Sequence, residues 1–138
     1  MSTGEKIKKY RKLRKMTQAE LGEAVGVTDN AIRNYEHDDR TPNEAQLAAI
    51  ARKLDISVAA LDDYEVASAR DAMEALFRLE EAYGLKPAEG GSLSIDPKAK
   101  GAQKLSAAIE AWRHVLDEVG SGGMTPDEYE LWKASLSG

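Results

Sequence analysis

The chain has 138 residues, an apolar share of 42% and a formal net charge of -5, which leaves room for one domain or two small ones with an ordinary core and gives no compositional sign of disorder. It contains no cysteine and only two histidines, His37 and His114, far apart in the chain; disulfides and thiolate metal sites are excluded, and neither a metal nor another cofactor is expected. No apolar run reaches the roughly 18 residues of a bilayer span and the N-terminal MSTGEKIKKYRK lacks the apolar core of a signal peptide, so no membrane association and a cytoplasmic location are expected.

The negative charge is unevenly placed. Residues 1–64 hold 11 Lys and Arg against 11 Asp and Glu, whereas residues 65–138 hold 8 against 13. Lys6, Lys8, Lys9, Arg11, Lys12, Arg14 and Lys15 against Glu5 give the first fifteen residues a local charge of +6. Screening over about 8 Å at physiological salt makes that cluster matter more to a nearby anion than the distant total.

Taken in chain order, Ile7, Tyr10, Arg11 and Leu13 set a first helix ending near Lys15-Met16. Thr17-Gln18-Ala19-Glu20 reads as a capping box that opens a second helix, with Leu21, Ala24 and Val25 on its apolar side. Gly26 ends that helix where a left-handed residue is cheap. Thr28 is the expected N-cap of a third helix, Asp29 to Glu36, with Ile32 and Tyr35 inward. Asn43 and Gln46 then cap a fourth helix carrying Leu47, Ile50, Ala51 and Leu54, and Ser57 caps a fifth through Val58, Leu61 and Tyr64. Beyond Tyr64, Val66, Ala69, Met73, Leu76, Phe77 and Leu79 predict a helix ending near Tyr83-Gly84. The apolar pieces around Leu85 and Leu93-Ser94-Ile95, with Pro87 and Gly90-Gly91 between them, are compatible with a small hairpin. Asp96-Pro97 reads as a cap and N1 proline, followed by a stripe of Leu105, Ile109, Trp112, Leu116 and Val119 at spacings of four and three. Gly120 to Gly123 reads as a joint, and Thr125-Pro126-Asp127-Glu128 as a capping box opening a last short helix with Tyr129 and Trp132.

Residues 7–61 resemble the DNA-binding domain of the lambda-repressor and Cro-like helix-turn-helix family, also called the xenobiotic-response-element family. The resemblance rests on Thr17-Gln18-x-x-Leu21, Ala24-x-Gly26-Val27, Ile32-x-x-Tyr35-Glu36, Arg40-Thr41-Pro42, Leu47-x-x-Ile50-Ala51 and Leu54-x-Ile56-Ser57, in that order and spacing. It implies a mainly α fold: a five-helix DNA-binding domain over residues 1–64, then a small, mostly helical domain over 65–138 for dimerisation or effector binding. It also implies a sequence-specific regulator of transcription, a repressor, that reads duplex DNA in the major groove with helix 28–36.

On the helical period Thr28, Asp29, Asn30, Arg33 and Asn34 lie outward or at the leading end of that helix, where Asn can pair with adenine, Arg with guanine and Asp with cytosine. Gln18 sits at the N-terminus of the second helix, where free amides favour a phosphate. By resemblance it contacts the DNA backbone and braces the reading helix. Thr17, Arg40, Lys9 and Lys12 are the further backbone candidates, Thr17 chiefly as a cap. Arg11 and Glu36 match family positions that form a structural ion pair. Where the family often has Asn-Gly-Lys after the reading helix, this chain has His37-Asp38-Asp39, which puts phosphate contacts from that loop in doubt.

Operators of this kind present two half-sites about 34 Å apart, so a homodimer is expected, formed through the second half or through the end of the fifth helix. Leu105, Ile109, Trp112 and Leu116 are candidates for its seam; alternatively, the stripe packs onto the chain's own helix 66–83 and hairpin. Catalysis is not expected, because His114 faces away from the stripe, the adjacent carboxylates of Glu80-Glu81 and Asp117-Glu118 point apart, and Gly120 to Gly123 lacks the lysine of a phosphate-binding loop. The competing functional reading is a protein-interaction adaptor or antitoxin-like module with weak DNA affinity, which the acidic total and Asp38-Asp39 favour. A small-molecule effector is neither indicated nor excluded.

Overall fold

Short polar side chains set the helix starts in the computed structural model, which describes residues 1–136. Helix α1 (Thr3–Leu13) begins where Ser2 Oγ accepts the Glu5 N–H at 3.1 Å. Helix α2 (Gln18–Val25) opens on a reciprocal capping box between Thr17 and Glu20, and α3 (Asp29–Glu36) on Thr28, whose hydroxyl oxygen accepts the Ala31 N–H at 3.0 Å. Helix α4 (Glu44–Leu54) starts at a second box between Asn43 and Gln46. These caps satisfy amide groups that no helical carbonyl can reach, and those at Thr17, Thr28 and Asn43 stand where the sequence pattern put them.

The expected fifth helix is a single 3-10 turn, Val58–Leu61. Ser57 makes no side-chain cap there, and its N–H is drawn instead to the Ala134 carbonyl at 2.8 Å. Asp62 and Asp63 follow, and acids are unfavourable at the negative end of a helix.

Helix α5 (Ala69–Tyr83) is capped by Ser68, which shortens the predicted 66–83, and ends at Gly84 with φ 69°. Strands β1 (Leu85–Pro87) and β2 (Leu93–Ile95) form the antiparallel hairpin, with Leu85 opposite Ile95, Lys86 opposite Ser94 and Pro87 opposite Leu93. Asp96-Pro97 does not start a helix. The Asp96 N–H pairs with the Gly84 carbonyl at 3.1 Å, extending the hairpin, and its carboxylate accepts the Lys98 N–H at 2.9 Å in a local turn. Helix α6 (Ala102–Ser121) begins only after Gly101, whose φ of 79° is paired with close approach of the Tyr83 ring: a Cβ there would lie 2.9 Å from Tyr83 Cε1. It runs through Gly120, so the predicted joint narrows to Gly122, at φ 85°. Helix α7 (Pro126–Ser135) carries the predicted capping box between Thr125 and Glu128, with proline in its first turn.

Two units result: Met1–Tyr64 together with the segment from Thr125 onward, and Glu65–Met124. The closing helix therefore lies in the first unit, whereas the sequence division assigned it to the second. In the first unit Ile7, Leu21, Ile32, Ile50, Leu54 and Leu61 are fully buried, and Ala134 of α7 joins their cluster with Leu131 packed against it. Along the α6 stripe of the second unit Ile109, Trp112 and Leu116 are 41%, 47% and 45% exposed, and Leu105 and Val119 are half-buried. The fold is mainly α with one small hairpin. No helix among the described residues is long and apolar enough to cross a membrane.

Candidate nucleic-acid interface

Helices α2 and α3 meet across Gly26, at φ 77°, and the Val27 N–H closes the turn on the Gly22 carbonyl at 2.9 Å. Gly22 permits this approach, since a Cβ would lie 2.8 Å from the Val27 carbonyl oxygen. Leu21 and Ile32 are buried at the junction. The inward side of α3 is Ile32, Tyr35 and Glu36; Thr28, Asp29, Asn30 and Arg33 are exposed and Asn34 is half-buried at the edge. Asp29 stands at the positive end of the helix dipole and accepts the Asn30 N–H at 2.8 Å.

Behind this face lies a buried ionic cluster. Arg11 Nε and Nη2 donate to the two Glu36 oxygens at 2.6 and 2.9 Å, Arg11 Nη1 donates to the Met16 carbonyl at 2.7 Å, and Gln18 Nε2 donates to Glu36 Oε1 at 3.0 Å. The Glu36 side chain is fully buried. Burial pushes its pKa up, but the hydrogen bonds of Arg11 and Gln18 and the charges of Arg11 and Lys8 outweigh that and hold it below the ordinary carboxylate range. One carboxylate thus joins α1, the start of α2 and the end of α3. The ion pair that the resemblance implied is present, and Gln18, half-buried, braces α3 with one amide hydrogen while retaining a second.

The basic cluster of α1 is largely engaged within the protein. Lys6 donates to the Asp62 carbonyl, Lys9 pairs with Glu130 at 2.9 Å, Arg11 is buried against Glu36, and Arg14 donates to the carbonyls of Leu54 and Asp55 at 2.8 and 3.1 Å, closing the end of α4. Lys12, Arg40 and the Thr17 cap are exposed. A phosphate contact by Lys9 would have to be made at the expense of its pair with Glu130. The seam candidates Leu105, Ile109, Trp112 and Leu116 belong to the other unit.

Sequence reasoning missed the structural role of Asp38. It adopts φ 59°, in the left-handed region that the family glycine would occupy, and its carboxylate accepts from Ser2 Oγ at 2.6 Å and the Gly4 N–H at 3.1 Å. The acid after the reading helix is thereby turned onto the positive end of α1. Gly4 makes this possible, because a Cβ there would lie 2.2 Å from the Tyr35 carbonyl oxygen. The available signal was a glycine in the first turn of an otherwise strong helix, which implies close backbone approach.

A short helix pair jointed at a left-handed glycine, with a polar outward face on the second helix and a buried ion pair fixing that helix to the first, defines a helix-turn-helix domain. Residues 7–61 match the family model described as Helix-turn-helix. The immunity repressor protein of Bacillus phage phi105 is 28% identical over 125 residues, 84% of this chain and 85% of that protein. Among solved structures, the P22 c2 repressor protein in complex with synthetic operator 9T is 35% identical, with 47% of this chain and 98% of that chain covered and a TM-score of 0.45. The SinR protein of the SinR/SinI complex is similar at 26% identity over 81% of this chain and 97% of that one, with a TM-score of 0.45. Residues 7–61 are thus a helix-turn-helix domain of the lambda-repressor/Cro-like kind, which marks DNA-binding transcriptional regulators.

Proposed function

We propose that this protein is a sequence-specific transcriptional repressor that binds duplex DNA as a homodimer in the cytoplasm, with the N-terminal end of α3 in the major groove. The observation that carries the reading is the construction of α3: a rigid helix pinned from behind by Arg11, Glu36 and Gln18, with Thr28, Asp29, Asn30 and Arg33 exposed in front. A helix of this kind fits the major groove, where each base pair offers a distinct donor and acceptor pattern. Asn30 is assigned to adenine, Arg33 to guanine, Asp29 to a cytosine amine, and Thr28, with Asn34 at the edge, to neighbouring base edges. Backbone contacts fall to the second amide hydrogen of Gln18, the first-turn amides beside Thr17, and Lys12 and Arg40, with Lys9 available only after release from Glu130. The similarity to the immunity repressor protein of Bacillus phage phi105 supports the repressor part of this reading. The dimer is assigned to the second unit, with Leu105, Ile109, Trp112 and Leu116 in its seam.

Selection of bound duplexes from a random pool tests the whole reading, giving motif, symmetry and half-site spacing together. On the selected duplex, Arg33→Ala should weaken binding by about 1–3 kcal/mol and relax preference at one base pair, as loss of a bidentate base contact does. Asn30→Ala should do the same at another. If neither substitution altered recognition, the major-groove assignment would be wrong. Each phosphate contact contributes roughly -0.9 to the slope of log K against log salt, so a flat salt response would exclude backbone anchoring.

A further inference from the structure

The cations of α1 and of the turn after it divide between two sides of the helix. Lys6, Lys9 and Arg14 are half-buried and engaged: Lys6 with the Asp62 carbonyl, Lys9 with Glu130, and Arg14 with the carbonyls that end α4. Lys8, Lys12 and Lys15 are exposed, and their ammonium groups have no hydrogen-bond or ion-pair partner among the described residues. A lysine standing in water is an ordinary surface feature; what distinguishes these three is their place and, for Lys15, its backbone.

Arg11 fixes how α1 is turned. Its guanidinium holds Glu36, the last residue of α3, and the same carboxylate accepts from Gln18 at the start of α2. Around an ideal helix Lys8 lies about 60° from Arg11, whereas Lys9 lies about 160° away. Lys12, one turn beyond Lys8, shares its side. At Glu36, where burial raises the pKa, the Lys8 charge joins Arg11 and Gln18 in lowering it. The open cations of α1 therefore border the end of the reading helix, and the engaged ones face away from it.

Lys15 supplies a separate observation. The Met16 N–H reaches the Arg11 carbonyl at 3.1 Å and the Lys15 N–H the Lys12 carbonyl at 2.9 Å, the pattern that ends a helix on a left-handed residue. Lys15 has φ 58°, a conformation that glycine adopts readily and a lysine only with strain. Its exposed side chain gives no hydrogen bond or ion pair back to the fold, and strained residues of this kind gather where a protein functions. It precedes the Thr17 cap of α2 by two residues.

We propose that Lys8, Lys12 and Lys15 form a phosphate-binding strip that takes the backbone of the bound duplex along α1 to the start of α2, while Lys6, Lys9 and Arg14 brace the fold. This rests on the DNA-binding reading above and adds Lys8 and Lys15 to its backbone contacts. Ammonium groups meet phosphates as point charges and displace counterions whatever the base sequence, so the strip supplies affinity and register and leaves discrimination to α3.

Fluorescence anisotropy of the full-length protein on the selected duplex, over a series of salt concentrations, reads the strip directly. Lys8→Ala and Lys15→Gly should each flatten the slope of log K against log salt by about 0.9 per protomer, weakening binding about fivefold per protomer at roughly 0.15 M salt, and by the same factor on an unrelated duplex. Lys8→Arg, which keeps the cation, should hold the wild-type slope, as should Lys6→Ala. Lys15→Gly also relieves the left-handed strain, so it should raise the urea midpoint while lowering affinity, two opposite signs that a supporting role in the fold does not produce. Unchanged slopes in Lys8→Ala and Lys15→Gly, with Asn30→Ala and Arg33→Ala still altering recognition, would remove the strip and leave the reading helix in place. A lowered urea midpoint in Lys15→Gly would remove Lys15 from the strip. A flat slope in the wild-type protein overturns the strip together with the backbone anchoring on which it rests.

Discussion

Removing the Glu36 carboxylate would leave the Arg11 guanidinium, with its side chain 9% exposed, buried without its countercharge. Breaking a buried pair from one side typically costs about 3–5 kcal/mol, so Glu36→Gln, which keeps an oxygen acceptor, should lower unfolding stability by about 3 kcal/mol in a urea titration. Protonation perturbs the same group reversibly. Because the folded protein holds Glu36 below its ordinary pKa, the unfolded chain binds the proton more readily. The stabilisation is therefore fully present above about pH 4.3, the ordinary glutamate value, and is lost as pH falls through the folded value. Glu130 shifts the same way, held down first by the Lys9 hydrogen bond, against burial, and then by Lys133. Unfolding measured between pH 7 and pH 3 should show a plateau and then a decline below about pH 4.5, shallower in Glu36→Gln; equal declines in both proteins would mean that Glu36 is not the linked group. The Arg11–Glu36 pair came into view only through the family resemblance, since nothing in local spacing joins residues so far apart. Asp38 came into view only as an acid that opposes phosphate contact; its structural role depends on a left-handed backbone and on Ser2 and Gly4 at the start of α1.

At the scale of elements, the chain announces those starts whose signals act within one turn. Thr17 with Glu20, Asn43 with Gln46 and Thr125 with Glu128 all form the predicted boxes. Gly26 terminates α2 in the predicted left-handed conformation, and no atom outside its immediate chain neighbours lies within 4 Å of where a Cβ would stand. Gly26→Ala therefore isolates backbone strain from collision and should cost about 1–2 kcal/mol, read as a lowered urea midpoint at unchanged slope. The signals that failed were those overruled by distant partners. Ser57 has the right residue type for a cap, but its N–H answers to Ala134, and Asp96-Pro97 has the right pair for a helix start, but Asp96 is committed to the hairpin. Periodicity correctly identified the α6 stripe as an apolar face, yet what covers such a face is not written in its spacing.

For the whole molecule, the helix-turn-helix unit is built from two stretches, Met1–Tyr64 and the segment from Thr125 onward, with residues 65–124 inserted between the 3-10 turn and α7. Helix α7 brings Leu131 and Ala134 to the core, the Ala134 carbonyl to Ser57 and the Glu130 carboxylate to Lys9. A chain ending at Tyr64 would keep the whole family motif but lose those contacts, baring apolar surface around Leu61 and Ile56. Partly buried aliphatic packing with one backbone hydrogen bond is worth about 2 kcal/mol. In a domain this small that corresponds to roughly 8–16 °C in Tm, so thermal unfolding by circular dichroism should place the 1–64 fragment that far below the unit in the full chain. Leu131→Ala in the full-length protein should move the same transition in the same direction by less. If the fragment melted with the full chain's unit, α7 would be a passive neighbour, and the match of the family to residues 7–61 would mark the complete folding unit. A lowered midpoint instead makes α7 part of that folding unit, so that its loss also loosens the support of α1, and through Arg11 and Glu36 the seat of α3.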